Sequence, residues 1–515
     1  MKFSNSLFIS IWALIGLLGF RSYFSGNKIN RGEKPTFALP NIIVILADDL
    51  GYGDLQCYNP DSQIPTPHLN QLSQTGLRFT DAHSSSSVCS PTRYGLLTGR
   101  YAFRSPLKKG VLGGFSPPLI ENERLTIADL LKNAGYQTAV IGKWHLGLEW
   151  PLQNGAMPPP RSEPDVWPTG NGLNIQADLI QGPKDLGFNY SYIIPSSLDI
   201  PPYLYLENGK PTEREIVELA GNNEPRGVFW RTGPAGKGFK VENTLDILGQ
   251  KAQQYMTEMS KQKKPFFLYL PLTSPHTPWV PSKEFRAKSN AGIYGDFVMH
   301  TDFVVGEVLA KLEALGLKEN TLVIFTSDNG ADWKPSDKEK FPKHRANYGY
   351  RGQKSDVWEG GHRIPFLVSW PQAIHKTRTL DHTLCLTDLM ATFASLTSQT
   401  LPANAGQDSF DFSKLLTTSP TKKPVRPSII HHSIDGMFAI RSGKWKYIDG
   451  AGSGGWSKGP TNDRNPALSA QLYDLEKDSA ETNNLMDTYP KIAANLRALL
   501  KQQQQNGYTR NGAKK

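Results

Sequence analysis

The most regular signal along the chain is a set of short, β-branched apolar runs separated by longer amphipathic stretches. Residues 41–47 (NIIVILA), 137–141 (QTAVI), 266–270 (FFLYL), 322–326 (LVIFT) and 366–369 (FLVS) are apolar at nearly every position, the pattern of strands buried on both faces. Between them, residues 125–134 carry Leu125, Ile127, Leu130 and Leu131, residues 244–259 follow Asn243 as a candidate N-cap, and residues 304–315 repeat Val305, Val308, Leu309 and Leu312 at helical spacing. This alternation predicts an α/β fold with a large, mixed but mostly parallel central sheet sandwiched by helices. The pattern changes in the last hundred residues. Residues 436–448 (GMFAIRSGKWKYI) alternate like an antiparallel pair around a Ser-Gly turn at 442–443, residues 471–474 (QLYD) read as another strand, and residues 490–503 place Ile492, Leu496, Leu499 and Leu500 on one helical face. A smaller antiparallel sheet plus helix is therefore expected at the C-terminus.

Lys2 precedes an apolar run from Leu7 to Phe20, too short to span a bilayer comfortably and suited to the core of a signal peptide. The division that follows is a signal peptide or N-terminal anchor at 1–25, a catalytic domain at 36–405, a C-terminal subdomain at 406–505 and a basic tail at 506–515, expected to be solvated. Export, periplasmic or secreted, is expected, with membrane attachment only through an uncleaved N-terminal signal. Three cysteines, Cys57, Cys89 and Cys385, are too few for a disulfide scaffold, and their odd number leaves one without a partner in the chain. The net charge of +10 favours polyanionic partners. No nucleic-acid recognition motif accompanies it, so no nucleic acid is expected, and sulfated glycans are the alternative. Two Gly/Pro-rich stretches, 149–172 and 221–238, read as long surface loops of the kind that form lids or specificity loops.

In open α/β sheets, sites form beyond the carboxyl ends of the strands. Four of the predicted strands run straight into polar, reactive side chains: Asp48-Asp49, then Gly142-Lys143-Trp144-His145, then Ser274-Pro275-His276-Thr277-Pro278, then Asp328-Asn329-Gly330. Asp48, Asp49, Asp328 and Asn329 offer only oxygen donors, the set that hard divalent cations such as Ca2+ take, whereas zinc favours His or Cys. Either pair alone would more often cap a helix or make a turn; the two together, both after apolar strands, point to a metal. Lys143, His145, His276 and Lys354 supply positive charge and an acid and base for an anionic ester.

The sharpest motif is Cys89-Ser90-Pro91-Thr92-Arg93, followed by Leu97-Thr98-Gly99. It resembles the sulfatase signature C-x-P-x-R with its downstream Leu-Thr-Gly. The resemblance extends over roughly residues 38–490, through PNIIVILADDLGYGD, GKWHLG, SPHTP, SDNG, the RGQK…EGGHRIP block and the C-terminal LYDL. It implies an alkaline phosphatase-like fold and an arylsulfatase-like, formylglycine-dependent activity on sulfate esters. In that family the cysteine is oxidised to Cα-formylglycine by a maturase that reads the unfolded chain. The resemblance then implies that Asp48, Asp49, Asp328 and Asn329 bind Ca2+ together with an oxygen of modified Cys89. Arg93 and Lys143 hold the hydrated aldehyde, His145 contacts one of its hydroxyls, and His276 and Lys354 face the sulfate and the leaving oxygen. Ser197 stands where arylsulfatases keep a sulfate-contacting serine.

The basic, Trp- and Tyr-containing loops favour a carbohydrate sulfate as substrate. The alternatives are a phosphate or phosphonate monoester hydrolase of the same fold, and a non-catalytic binder of sulfated glycan. Residues 334–345, with Lys334, Lys338, Lys340, Lys343, His344 and Arg345, begin five residues beyond Asn329 and are the expected steering surface for such a substrate.

Overall fold

In a computed structural model the described residues are 39–155, 170, 172–417, 422–458 and 470–514. The N-terminal apolar run and most of the 149–172 loop lie outside them. Among the described residues no helix is long and apolar enough to cross a membrane.

Eleven strands form the large sheet. Asn41–Asp48 lies at its centre, parallel to Thr321–Ser327 on one side and to Phe266–Pro275 on the other. Gln137–Lys143 and then Tyr190–Ile194 continue the parallel array. On the opposite side Arg363–Ser369 runs antiparallel to both of its neighbours, Thr321–Ser327 and Leu77–His83. Leu77–His83 consequently points the same way as the central strand. The alternation of side chains along a strand divides the apolar core into two layers. Ile42, Val44 and Leu46 pack on one face with the Ile127–Asn133 and Leu389–Leu396 helices. Ile43, Ile45 and Ala47 pack on the other with Thr244–Ser260 and Gly292–Ala314.

The expected helices are present, with altered ends. Ile127–Asn133 begins at a capping box in which Thr126 and Asp129 satisfy each other's backbone N–H. Asn243 makes no side-chain cap for Thr244–Ser260, which instead continues out of a 3-10 turn at Val241–Asn243. The helix expected from residue 304 begins at Gly292.

The small sheet has the order Ile429–His432, Phe438–Ser442, Trp445–Ile448, Gln471–Asp474, all antiparallel. Its apolar face packs on the Pro490–Asn506 helix through Ala493, Leu496 and Leu500. Phe412, Leu415 and Leu416 belong to the core of the large sheet, so the chain joins the smaller unit only from Ile429. Residues after the terminal helix do not trail into solvent. Arg510 donates to the carbonyls of Gly406 and Ala405 at 3.0 and 2.9 Å, Thr509 donates to Asp408, and Ala513 is buried. Of the tail's basic residues Arg510 is engaged with backbone carbonyls in this way, while Lys514 is exposed.

Candidate active site

The parallel strands deliver their C-terminal ends to one edge of the sheet. Asp48 ends the central strand, and Asp328-Asn329 follow its neighbour. Lys143 ends a third strand, and His276 follows Pro275 at the end of a fourth. The Leu77–His83 strand leads through the buried serines Ser84–Ser87 into Cys89. Tyr190–Ile194 leads to Ser197. Lys354 reaches the same edge on the segment that precedes Arg363–Ser369. One ligand atom each from Asp48, Asp49, Cys89 and His276 lies within 4.8 Å of the others.

Local sequence accounts for the placement of the cysteine. Cys89 opens the Cys89–Thr98 helix, whose N-cap, Val88, offers no side-chain acceptor, so the positive end of the helix faces the site. Pro91 sits in the first turn, where a missing N–H costs nothing. Arg93, four residues on, projects from the same face as Cys89. It is fully buried, with Nη2 at 2.7 Å from Asp328 Oδ2 and 3.5 Å from Asp48 Oδ1, and Nη1 donating to Lys143 O at 2.9 Å. Gly142 lets the next strand approach its neighbour: it has φ +138°, and a Cβ there would meet Pro271 O at 1.9 Å. Asp49 and His145 are both left-handed, at φ 64° and 55°, a conformation costing on the order of 1–3 kcal/mol that such sites sustain through surrounding bonds.

The charges interlock. Lys143 Nζ lies 2.6 Å from Asp48 Oδ2, and Lys354 Nζ 2.8 Å from Asp49 Oδ2. Burial alone would raise the Asp48 carboxyl; Lys143, His276 and Arg93 outweigh it and hold it well below the usual range. Asp328 goes the other way: burial and the adjacent Asp48 charge push it up to about 7, against the pull of Arg93 and Lys143. Burial opposes charge on His276, yet Asp49 and Asp48 raise it to about 9. His145 is held far below the imidazole range by burial, then by Lys143 and Arg93. Its Nε2–H donates to Leu112 O at 2.7 Å, which leaves Nδ1 as a buried lone pair without a partner. Ser197 Oγ lies 3.2 Å from Lys143 Nζ and 3.1 Å from His276 Nδ1.

The residues expected as catalytic groups, metal ligands and sulfate contacts thus converge, whereas His344 of the basic 334–345 segment is buried against Asp54. Two groups had no sequence signal. Asp199 pairs with Arg231 at 2.7 Å and reaches within 3.9 Å of His276 Nδ1; one acid in a loop is indistinguishable from any other by pattern. The second group lies behind the Cys89 loop, where His83, His362 and His431 bring ring nitrogens together in a fully buried cluster. The His362 and His431 rings stack at 3.7 Å with 9° between their planes. Lone pairs in near-parallel planes do not converge on one ion, and Lys446 Nζ, 3.1 Å from His362 Nε2, adds positive charge. The cluster is structural: His431 donates to Ser84 O, and His432 O receives bonds from Ser86 and Ser87.

Residues 40–399 match the family model described as Sulfatase, and the chain belongs to the sulfatase family. It is a sulfuric ester hydrolase. An N-acetylgalactosamine-6-O-sulfatase of Bacteroides thetaiotaomicron is 34% identical over 515 residues, covering 92% of this chain and 94% of the relative. Human arylsulfatase A is 33% identical over 478 residues, covering 90% of this chain and 87% of the relative. A solved Bacteroides thetaiotaomicron structure concerned with the metabolism of multiple glycosaminoglycans superposes with a TM-score of 0.76 at 32% identity, covering 90% of this chain and 99% of that one.

Proposed function

We propose that this sulfatase hydrolyses sulfate esters of carbohydrates outside the cytoplasm, with Cys89 acting after conversion to Cα-formylglycine by a maturase. The observation that carries the reading is the convergence of Cys89 with Asp48, Asp49 and His276 at one buried point, all within 4.8 Å, ringed by Arg93, Lys143 and Lys354. The substrate class draws on the N-acetylgalactosamine-6-O-sulfatase relative, and 6-O-sulfated N-acetylgalactosamine is the first compound to test.

The acidic residues fit a divalent cation. Three carboxylates and an amide oxygen are buried together, Asp328 cannot easily hold a charge beside Asp48, and Asn329 Oδ1 is buried without a donor. An added cation satisfies both conditions, and the all-oxygen donor set of Asp48, Asp49, Asp328 and Asn329 suits calcium. Those four residues, with an oxygen of modified Cys89, would hold the ion, and its charge would lower the cost of ionising a hydroxyl beside it. Cys89 converted to hydrated formylglycine would supply one hydroxyl to attack sulfur, displacing the alcohol, and a second to release the sulfate.

The chain's own groups do the remainder. Lys143 and Arg93 hold positive charge against Asp48 and Asp328, so the pocket accepts an anionic ester without a net excess of carboxylate. Lys354 and His276, with Ser197 between His276 and Lys143, present N–H and O–H donors to the sulfate oxygens, and His276 or Lys354 protonates the leaving alcohol. His145, fixed as the tautomer with a free Nδ1, serves as the base for the hydroxyl that expels sulfate. Mass spectrometry of the peptide containing Cys89 tests the reading: an aldehyde or its hydrate in place of the thiol supports it. A thiol in fully active enzyme would refute it.

A further inference from the structure

The segment that carries Lys354 is tied to a loop from the small sheet. Val357 N–H donates to Ser453 O at 2.9 Å, Trp456 N–H to Ser355 Oγ at 2.9 Å, and Ser457 N–H to Asp356 Oδ1 at 3.0 Å. Gly455 makes this approach feasible, because a Cβ there would meet Ser355 O at 2.4 Å. These three bonds fix the backbone on both sides of Trp456. It is 47% exposed, whereas every other described tryptophan is buried or half-buried. Its ring centre lies 5.8 Å from Lys354 Nζ. Nearly half of the indole is open to solvent, on a backbone tied directly to the segment that carries Lys354, so it is placed to meet whatever meets that lysine.

We propose that Trp456 is the platform on which the sugar ring of a sulfated saccharide stacks while its sulfate meets Lys354. The distance sets the scale: a sugar ring whose sulfate meets Lys354 Nζ is within reach of an indole centred 5.8 Å from that nitrogen. The C–H face of the sugar is apolar and the indole offers a large flat apolar surface, while Lys354 and His276 take the anion. Asp49 Oδ2, 2.8 Å from Lys354 Nζ, holds the ammonium in the site, and the indole lies at the outer limit of cation–π range from it. The specificity consequence is that recognition divides between two sheets: the large sheet reads the sulfate, and the small sheet reads the ring that bears it.

This platform rests on the sulfatase reading, so its test separates the two. Affinity is measured by calorimetry for 6-O-sulfated N-acetylgalactosamine and a sulfated disaccharide, on the Cys89→Ala chain and on Cys89→Ala/Trp456→Ala. Stacking on one aromatic ring is worth on the order of a tenfold change in affinity, so a loss of about that size is expected, with Trp456→Phe recovering part of it. In active enzyme, Trp456→Ala raises KM for the saccharide about tenfold and leaves kcat within about twofold. Equal affinity in both chains, or no saccharide binding at all, overturns the platform. Absence of turnover on every sulfate ester, with Trp456-dependent saccharide binding intact, overturns the sulfatase reading and leaves the platform standing. Thermal unfolding of Trp456→Ala within about 2 °C of the parent confirms that any loss is local.

Discussion

Glu481 gives the sharpest test of the buried charge network behind the Cys89 loop. Its Oε2 accepts from Glu359 N–H at 2.6 Å and its Oε1 lies 2.8 Å from Lys446 Nζ. Lys446 also pairs with Glu359 Oε1 at 3.0 Å, and Arg363 reaches Glu359 Oε2 at 3.3 Å. His362 and His83 face the same group, and one lysine serves two carboxylates. Burial first, then the Glu359 charge, push the Glu481 carboxyl from 4.5 up to about 7, against the attraction of Lys446. A carboxyl raised in the folded state binds its proton more tightly than in the unfolded chain. Its contribution to stability is full below about pH 4.5 and is lost as the pH rises through about 7. The rise corresponds to about 3 kcal/mol at most, or roughly 3 °C in Tm for a chain of this length. Glu481→Gln removes the titration and keeps one of the two contacts, at a cost of about 1 kcal/mol for the other. The variant is therefore expected to melt below the wild type at pH 5 and at or above it at pH 8. Calorimetric Tm measured across this range for both chains checks it. Parallel Tm curves would show that Glu481 does not carry the titration.

Cys89→Ala is expected to abolish turnover of any sulfate ester with a Tm within about 2 °C of the parent. Cys89→Ser should do the same in a host without a serine-type maturase, and retained activity in either sinks the assigned role. Chelation of calcium should lower the Tm of the wild type, and Asn329→Leu should shrink that difference, because it removes both the free Oδ1 and the 2.7 Å bond from Nδ2 to Asp49; an unchanged response to chelator in Asn329→Leu removes Asn329 from the ligand set. Neutralising Lys338, Lys340 and Lys343 to Gln should raise KM for a sulfated oligosaccharide severalfold, more at low salt, and leave a small aryl sulfate unchanged. Loss on both substrates would place the damage at Asp328 and Asn329 instead. His344 of the same segment is not part of that surface, since it is buried against Asp54 at 2.9 Å.

The parts of the site that were legible are those that interrupt an apolar run. Asp48, Lys143, His276 and Asp328 announce themselves because a buried strand stops there and a polar residue begins. The Leu77–His83 strand escaped notice because Arg78, Thr80 and Asp81 break its apolar character, although all three find partners: Arg78 donates to Thr379 Oγ1 and Thr80 to Leu380 O, and Asp81 meets Arg441 and Arg363. The first half of Gly292–Ala314 was hidden in the same way. Asp296 accepts from three backbone N–H groups at residues 287–289. Asp302 accepts from His68 and Leu69, at the start of a helix whose own Thr66 gives no side-chain cap. Buried acids that serve another segment's backbone look, in sequence, like surface residues. The histidine cluster is illegible for a related reason: His83, His362 and His431 are far apart in the chain, and no period connects them.

The serine loop that feeds Cys89 is fastened by the backbone of His432 and by Ser355, whose N–H donates to Ser87 O. Those fasteners are made late, because a chain emerges from its N-terminus. Between the appearance of Cys89 and that of His432 lie more than three hundred residues, which take roughly 20–70 s to synthesise at common elongation rates. Until His432 exists the loop lacks its last fastener, having only those from Ser355 and His362; in the folded chain Cys89 is 2% exposed. A fastener this late in the sequence leaves the loop without one of its closures for that interval. The order of residues, with no added part, reserves an interval for any enzyme that must handle this cysteine before the pocket shuts.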